Sequence, residues 1–133
     1  MKKFENFNSN LKVLMNADKE DLTNEFIISG IIYKFFIQFE LGWKVLKELL
    51  KYEGKSIAVV GSPRDIIKAA YTIYDFIDED VWMTMLKSRN DMTHIYDGEA
   101  AKNLVNVILS DYVPAFIRLR EGIVGRYGEN LEL

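Results

Sequence analysis

The sequence predicts an all-α protein: an up-and-down bundle of four main helices with an additional short helix. Three observations carry this reading. Apolar residues recur at three- and four-residue spacing over long stretches, the period of a helix face. Only two prolines and eight glycines interrupt the chain, too few for a many-turned β fold. Apolar residues make up 49% and charged residues 28%, the balance of a chain with a packed core. The 133 residues suit a single helical-bundle domain over residues 1–133.

Phe4, Leu11 and Leu14 mark a first helix, weakened at its ends by Asn8, Asn10 and Asn16. Asp18 to Asn24 reads as a polar connection. The strongest element follows, from about Asn24 to Glu53, with the stripe Ile28, Ile32, Phe35, Phe39, Trp43, Leu46 and Leu50. Its length of about 45 Å, at about 1.5 Å per residue, suits a bundle. Gly54 is its stop, and Gly30 and Gly42 are points where another helix can approach closely. Ser56 to Gly61 is expected to be a buried linker, with a strand as the alternative. Ser62-Pro63-Arg64-Asp65 is a helix start, with a capping serine, a proline at the first position and an aspartate to close a capping box. Ile66, Ala70, Ile73 and Ile77 extend this helix, and Asp78-Glu79-Asp80 opens the next before Val81, Trp82, Met85 and Leu86. Asp97-Gly98 is another junction, followed by Ala101, Leu104, Val105, Ile108 and Tyr112. Pro114 allows a kink or a fresh start; Phe116, Leu119 and Ile123 continue the spacing, and Gly125 and Gly128 mark a fraying end.

Composition removes several function classes. With no cysteine there is no disulfide, thiolate metal site or cysteine nucleophile. A net charge of −3 excludes a wholly basic nucleic-acid-coating surface but leaves room for a local basic cleft. The basic start Met1-Lys2-Lys3 is not followed by an apolar signal core, and Phe26 to Phe39, broken by Ser29, Lys34 and Gln38, is shorter than a membrane span of roughly 20 apolar residues. The expected location is cytoplasmic, with no membrane partner. Gly122-Ile123-Val124-Gly125 lacks the context of a nucleotide-binding loop. The single histidine, His94, is too little for zinc, even beside Asp91 and Asp97, and Asp78-Glu79-Asp80 lacks the loop pattern of a calcium site. No metal site is expected.

The chemically informative segment is Arg89-Asn90-Asp91-Met92-Thr93-His94-Ile95-Tyr96. It suits a phosphodiester. Arg89 can grip phosphate oxygens through its planar fork, and His94 can move a proton near neutral pH. Asn90 can orient a phosphate or ribose hydroxyl, and Tyr96 can stack on a base. The structural alternative is that Arg89 pairs with a helix carboxylate and His94 caps a terminus. On an unbroken helix, Arg89 and His94 stand about 140° apart, so convergence needs a break near Met92 or Thr93, the reach of Arg89, or a second subunit. Glu40 and Lys44 lie one turn apart in the favourable order, as a structural pair or as part of a shared polar cleft. Lys44, Lys47 and Lys51 form a basic edge, Arg64 and Asp65 read as helix-terminus electrostatics, and Trp43 and Trp82 read as core or interface pieces.

Phe39-Glu40-Leu41 with Trp43-Lys44, Ser62-Pro63-Arg64-Asp65, Asp80 with Trp82, Arg89-Asn90, Thr93-His94 and Tyr96, and the late Tyr112, Pro114 and Phe116 occur in an order and spacing that resemble the nucleotidyltransferase substrate-binding proteins, within the wider HEPN and HepT-like group. The resemblance implies a substrate-binding or partner subunit of a two-component minimal nucleotidyltransferase system. The nucleotide and magnesium would then be used by a separate nucleotidyltransferase chain, because the glycine-serine and paired-aspartate signature of that enzyme is missing here, and this chain would have no intrinsic cofactor. It also implies an alternative: a HepT-like, metal-independent ribonuclease toxin neutralised by a cognate nucleotidyltransferase antitoxin. In that reading Arg89 and His94 are catalytic at a cleft between two protomers of a homodimer. Asn90 would orient the phosphate or ribose and Tyr96 would position the RNA, Glu40 and Lys44 are further candidate substrate-binding residues through a shared polar cleft, and Tyr96 is the position to which a partner would add AMP.

Overall fold

The computed structural model describes residues 1–91, 93, 96–129 and 131. Among them the chain is all-α: α1 (Lys2–Met15), a 3-10 turn (Ala17–Lys19), α2 (Glu25–Tyr52), α3 (Ile57–Val60), α4 (Pro63–Ile73), α5 (Glu79–Asn90), α6 (Gly98–Val107), a π-helical turn (Ile108–Tyr112) and α7 (Val113–Tyr127). The helical class is as expected, but the architecture is more divided than a simple four-helix bundle. The expected helix from Pro63 ends at Ile73, and Ile77 reaches the core from the connection instead.

The ends of the helices follow local chemistry. Asn24 caps α2 by accepting from the backbone N–H groups of Phe26 and Ile27, and Gly54 (φ 76°) leaves the helix through the left-handed region. Ser62 and Asp65 close a capping box at α4, and Asp78 and Asp97 cap α5 and α6. Ser56 to Gly61 is neither strand nor buried linker. Its centre is the single turn α3, with Ala58 buried and Val59 and Val60 exposed. Gly125 does not fray α7, which runs to Tyr127 and stops at Gly128 (φ 90°).

Helix α2 is central, packed by α1, α3, α4, α5 and α6. By length and mean hydropathy (1.3) it passes as a membrane span, beyond the sequence expectation, yet it carries the core positions Phe35, Phe39, Leu46 and Leu50. Phe35 stacks on Tyr112 at 5.0 Å, and Phe39 lies 6.0 Å from Trp82, whose ring meets Phe116 edge-on. Gly42 explains how Trp82 fits: a Cβ there would stand 2.9 Å from the indole. Gly30, by contrast, faces open space. A buried amide pair sets the register of α1 on α2. Asn10 donates to Gln38 at 2.7 Å, and Gln38 donates to the carbonyl of Phe7 at 3.0 Å. Pro114, lacking an N–H, sits in the first turn of α7, and the π turn before it widens the helix where its ring would otherwise strike the preceding carbonyl.

Candidate functional site

Glu40 lies midway along α2, with Trp43 and Lys44 one turn further on the same face. Its carboxylate is the hub of a polar cluster. Arg89, in the last turn of α5, donates from Nη2 to Glu40 Oε1 in a close ion pair. The Trp43 indole N–H donates to Glu40 Oε2 at 3.1 Å, and Lys44 Nζ stands 3.8 Å from that oxygen. The other arm of the Arg89 fork, Nη1, donates to Asn90 Oδ1 at 3.1 Å. The Arg89 and Glu40 side chains are each 32% exposed, so the pair is neither sealed in the core nor freely solvated.

A second hydrogen bond anchors the same end of α5. Ser88 Oγ and the Tyr112 hydroxyl lie 2.7 Å apart, joining it to the π turn. Burial pushes the Tyr112 phenol above its ordinary value; the Ser88 bond opposes this and Asp111 adds to it. Sequence reading missed this tie because the period of a helix does not reveal which hydroxyls meet across the core.

Helix α5 ends at Asn90, and Asp91 turns into extended backbone (φ −95°, ψ 94°), one residue before the expected break. Asp91 Oδ1 accepts from both the backbone N–H and the hydroxyl of Thr93, at 3.1 and 2.7 Å. His94 lies outside the described residues, as does any metal set built on it with Asp91 and Asp97. Among the described residues no three His, Cys, Asp or Glu side chains converge as a metal site.

Arg89, Asn90, Glu40 and Lys44 are therefore brought together. Tyr96 opens elsewhere. It is 87% exposed and lines a cavity of about 330 Å³ with Thr23, Glu25, Ser29 and Lys102, between the starts of α2 and α6. Asn90 lines a different cavity, of about 610 Å³, with Arg64, Met83, Leu86, Lys87 and Asp91. Arg64 and Lys87 were not among the expected site residues. The signal available in the sequence was an arginine in the first turn of a helix, where the macrodipole disfavours a cation.

Compared with known protein families, residues 1–124 match the family described as nucleotidyltransferase substrate binding protein like. The chain belongs to this family. The match runs from α1 almost to the end of α7 and takes in every residue of the polar cluster. Curated proteins yield no match. Membership in the nucleotidyltransferase substrate-binding-like family gives the chain a general role in nucleotidyl transfer, as substrate-binding or partner subunit.

Proposed function

We propose that this chain is the non-catalytic subunit of a two-component system: a cytoplasmic homodimer that binds a separate minimal nucleotidyltransferase and presents substrate to it. The partner supplies the metal-binding carboxylates and uses the nucleotide and magnesium. The observation that supports this reading is the state of Arg89. Both arms of its guanidinium are engaged, one by Glu40 and one by Asn90. A group held this way organises a binding surface. To stabilise a phosphorane it would first have to leave a carboxylate.

The test is co-purification with the nucleotidyltransferase of the adjacent gene, followed by titration and light scattering. A complex at micromolar concentration on a dimeric chain is the expected result. No complex, with or without nucleotide, overturns it. Mass spectrometry after incubation with partner and ATP reads Tyr96 directly, and its high exposure suits an acceptor role.

One observation favours the ribonuclease reading: Arg89 and His94 have four residues between them, and α5 stops before His94, so the helical 140° separation need not hold. In that reaction the ribose 2′-oxygen attacks phosphorus and the 5′-oxygen leaves with a proton, giving a 2′,3′-cyclic phosphate and a 5′-hydroxyl. His94 moves the proton, Arg89 faces the developing charge, and DNA resists cleavage. Chelator-resistant RNA cleavage lost in His94→Ala decides for this alternative.

A further inference from the structure

The cavity beside Asn90 combines two cations, an amide, a carboxylate and two apolar side chains. Its wall on α5 is a single helical stripe, Met83, Leu86, Lys87 and Asn90, at spacings of three, one and three residues. Arg64 contributes from the first turn of α4. Among the described residues no carboxylate lies within ion-pair distance of Arg64 or of Lys87. The carboxylate on the cavity wall, Asp91, accepts two hydrogen bonds from Thr93 through Oδ1. Asn90 uses its Oδ1 to accept from Arg89, which turns the rest of its amide, two N–H donors, toward other acceptors.

The two cations differ in what local structure explains. Lys87 is in the last turn of α5, where the helix dipole favours a positive charge. Arg64 is in the first turn of α4, where the dipole opposes one; Asp65 in the same turn offsets part of that cost, and no ion pair among the described residues holds Arg64 itself. Residues that break a local rule without structural compensation concentrate at functional sites. The cavity is an open groove: Arg64, Lys87, Asn90 and Asp91 on its wall are exposed, and Met83 and Leu86 are half-buried.

We propose that this cavity is a nucleotide subsite, in which Arg64 and Lys87 bind phosphate, the Asn90 amide donates to a phosphate or ribose oxygen, and Met83 and Leu86 lie against the nucleoside. This deepens the substrate-binding role and rests on that reading: the subsite would hold, as substrate, the nucleotide that the partner uses. The Arg64 fork matches two phosphate oxygens, Lys87 supplies a second point of charge, and the apolar pair gives the ring system a surface away from water. Asn90 joins the subsite to Arg89, so occupancy would be felt by the Glu40 cluster.

The experiment is calorimetric titration of the full chain, without partner, with ATP, inorganic tripolyphosphate, adenosine and a short single-stranded RNA. The expected result is saturable ATP binding that is weakened about tenfold or more in Arg64→Ala, corresponding to loss of a charged phosphate contact. Lys87→Ala should weaken it less, the double variant most, and Lys12→Ala, on the exposed face of α1, not at all. Arg64→Lys should recover only part of the affinity, since it restores charge without the fork. If Arg64→Ala loses its helical circular dichroism, Arg64→Gln replaces it. No ATP binding at millimolar concentration overturns the subsite, as does binding unchanged in the double variant. Tripolyphosphate binding as tightly as ATP removes the nucleoside contact, and RNA binding without ATP binding overturns the nucleotide assignment. Complex formation with the nucleotidyltransferase is measured on the same proteins. A chain that forms the complex but does not bind ATP sinks the subsite alone; one that binds ATP through Arg64 but forms no complex sinks the two-component reading alone.

Discussion

Two arginines of one protein, Arg89 and Arg64, are in opposite states. Arg89 is half-buried, its guanidinium shared between Glu40 and Asn90, and it is backed by the Ser88–Tyr112 hydrogen bond. Arg64 is exposed, in a helix turn that disfavours it, with no ion-pair partner among the described residues. The sequence motif singles out Arg89 and leaves Arg64 as an ordinary helix-start residue. The structure separates them: the motif arginine is paired with a carboxylate, and the helix-start arginine has no carboxylate within ion-pair distance among the described residues. A paired cation should matter most to stability, and an unpaired one most to binding.

The largest effect expected removes the support common to both. Trp82 is fully buried on α5, between Gly42, Phe39 and Phe116. Trp82→Ala should cost about 3–5 kcal/mol, read as a fall in the urea midpoint, and should loosen both sites together. Next, Glu40→Gln should cost about 1 kcal/mol by leaving Arg89 and Lys44 without their carboxylate, a modest value because both partners of the ion pair are a third exposed. A double-mutant cycle with Arg89→Ala isolates the pair; coupling near zero would erase the distinction between the two arginines.

A smaller effect appears with pH. The folded state holds the Tyr112 phenol above its unfolded value near 10, so its contribution is whole below pH 10 and is lost as pH rises above it, where the unfolded chain ionises first. Thermal unfolding above pH 10 should therefore show falling stability, with a shallower slope in Tyr112→Phe. A slope unchanged by that substitution would assign the alkaline loss to other groups, among them Tyr74 and Tyr127, whose phenols burial also raises. The smallest stability change belongs to Arg64→Ala, within about 0.5 kcal/mol and toward stabilisation, because the helix dipole gains when the cation leaves. A loss as large as that of Glu40→Gln would mean that Arg64 has a structural partner after all.

Helix starts, and the stops at Gly54 and Gly128, were legible because they are local; the end of α4 at Ile73 was not, because Ile77 keeps the spacing of the stripe. Asn24, Ser62 with Asp65, Asp78 and Asp97 cap helices through atoms two or three residues away, and Gly54 and Gly128 end them by a backbone freedom that belongs to glycine alone. The α2 stripe was legible for the same reason, since a period of three and four survives any tertiary arrangement. The family resemblance was legible in the ordered motifs, and the family match spans residues 1–124.

Other features depended on partners distant in sequence. α3 was misread because Ile57 to Val60 is apolar, yet only Ala58 and part of Ile57 find a surface to pack on. The Pro114 alternatives resolved against a fresh start: the backbone stays helical from α6 through the π turn into α7, and the widened turn accommodates the proline. Tyr96, close to Asn90 in sequence, opens into another cavity because the chain leaves the helix at Asp91. By itself the sequence determined the helical class, the caps and the central stripe, all from interactions that span a turn or less. Tertiary structure alone decided that Glu40 meets Arg89 across 49 residues and that Arg64 meets no carboxylate among the described residues, because ion pairing falls off with distance between side chains and that distance is set by how α2, α4 and α5 pack.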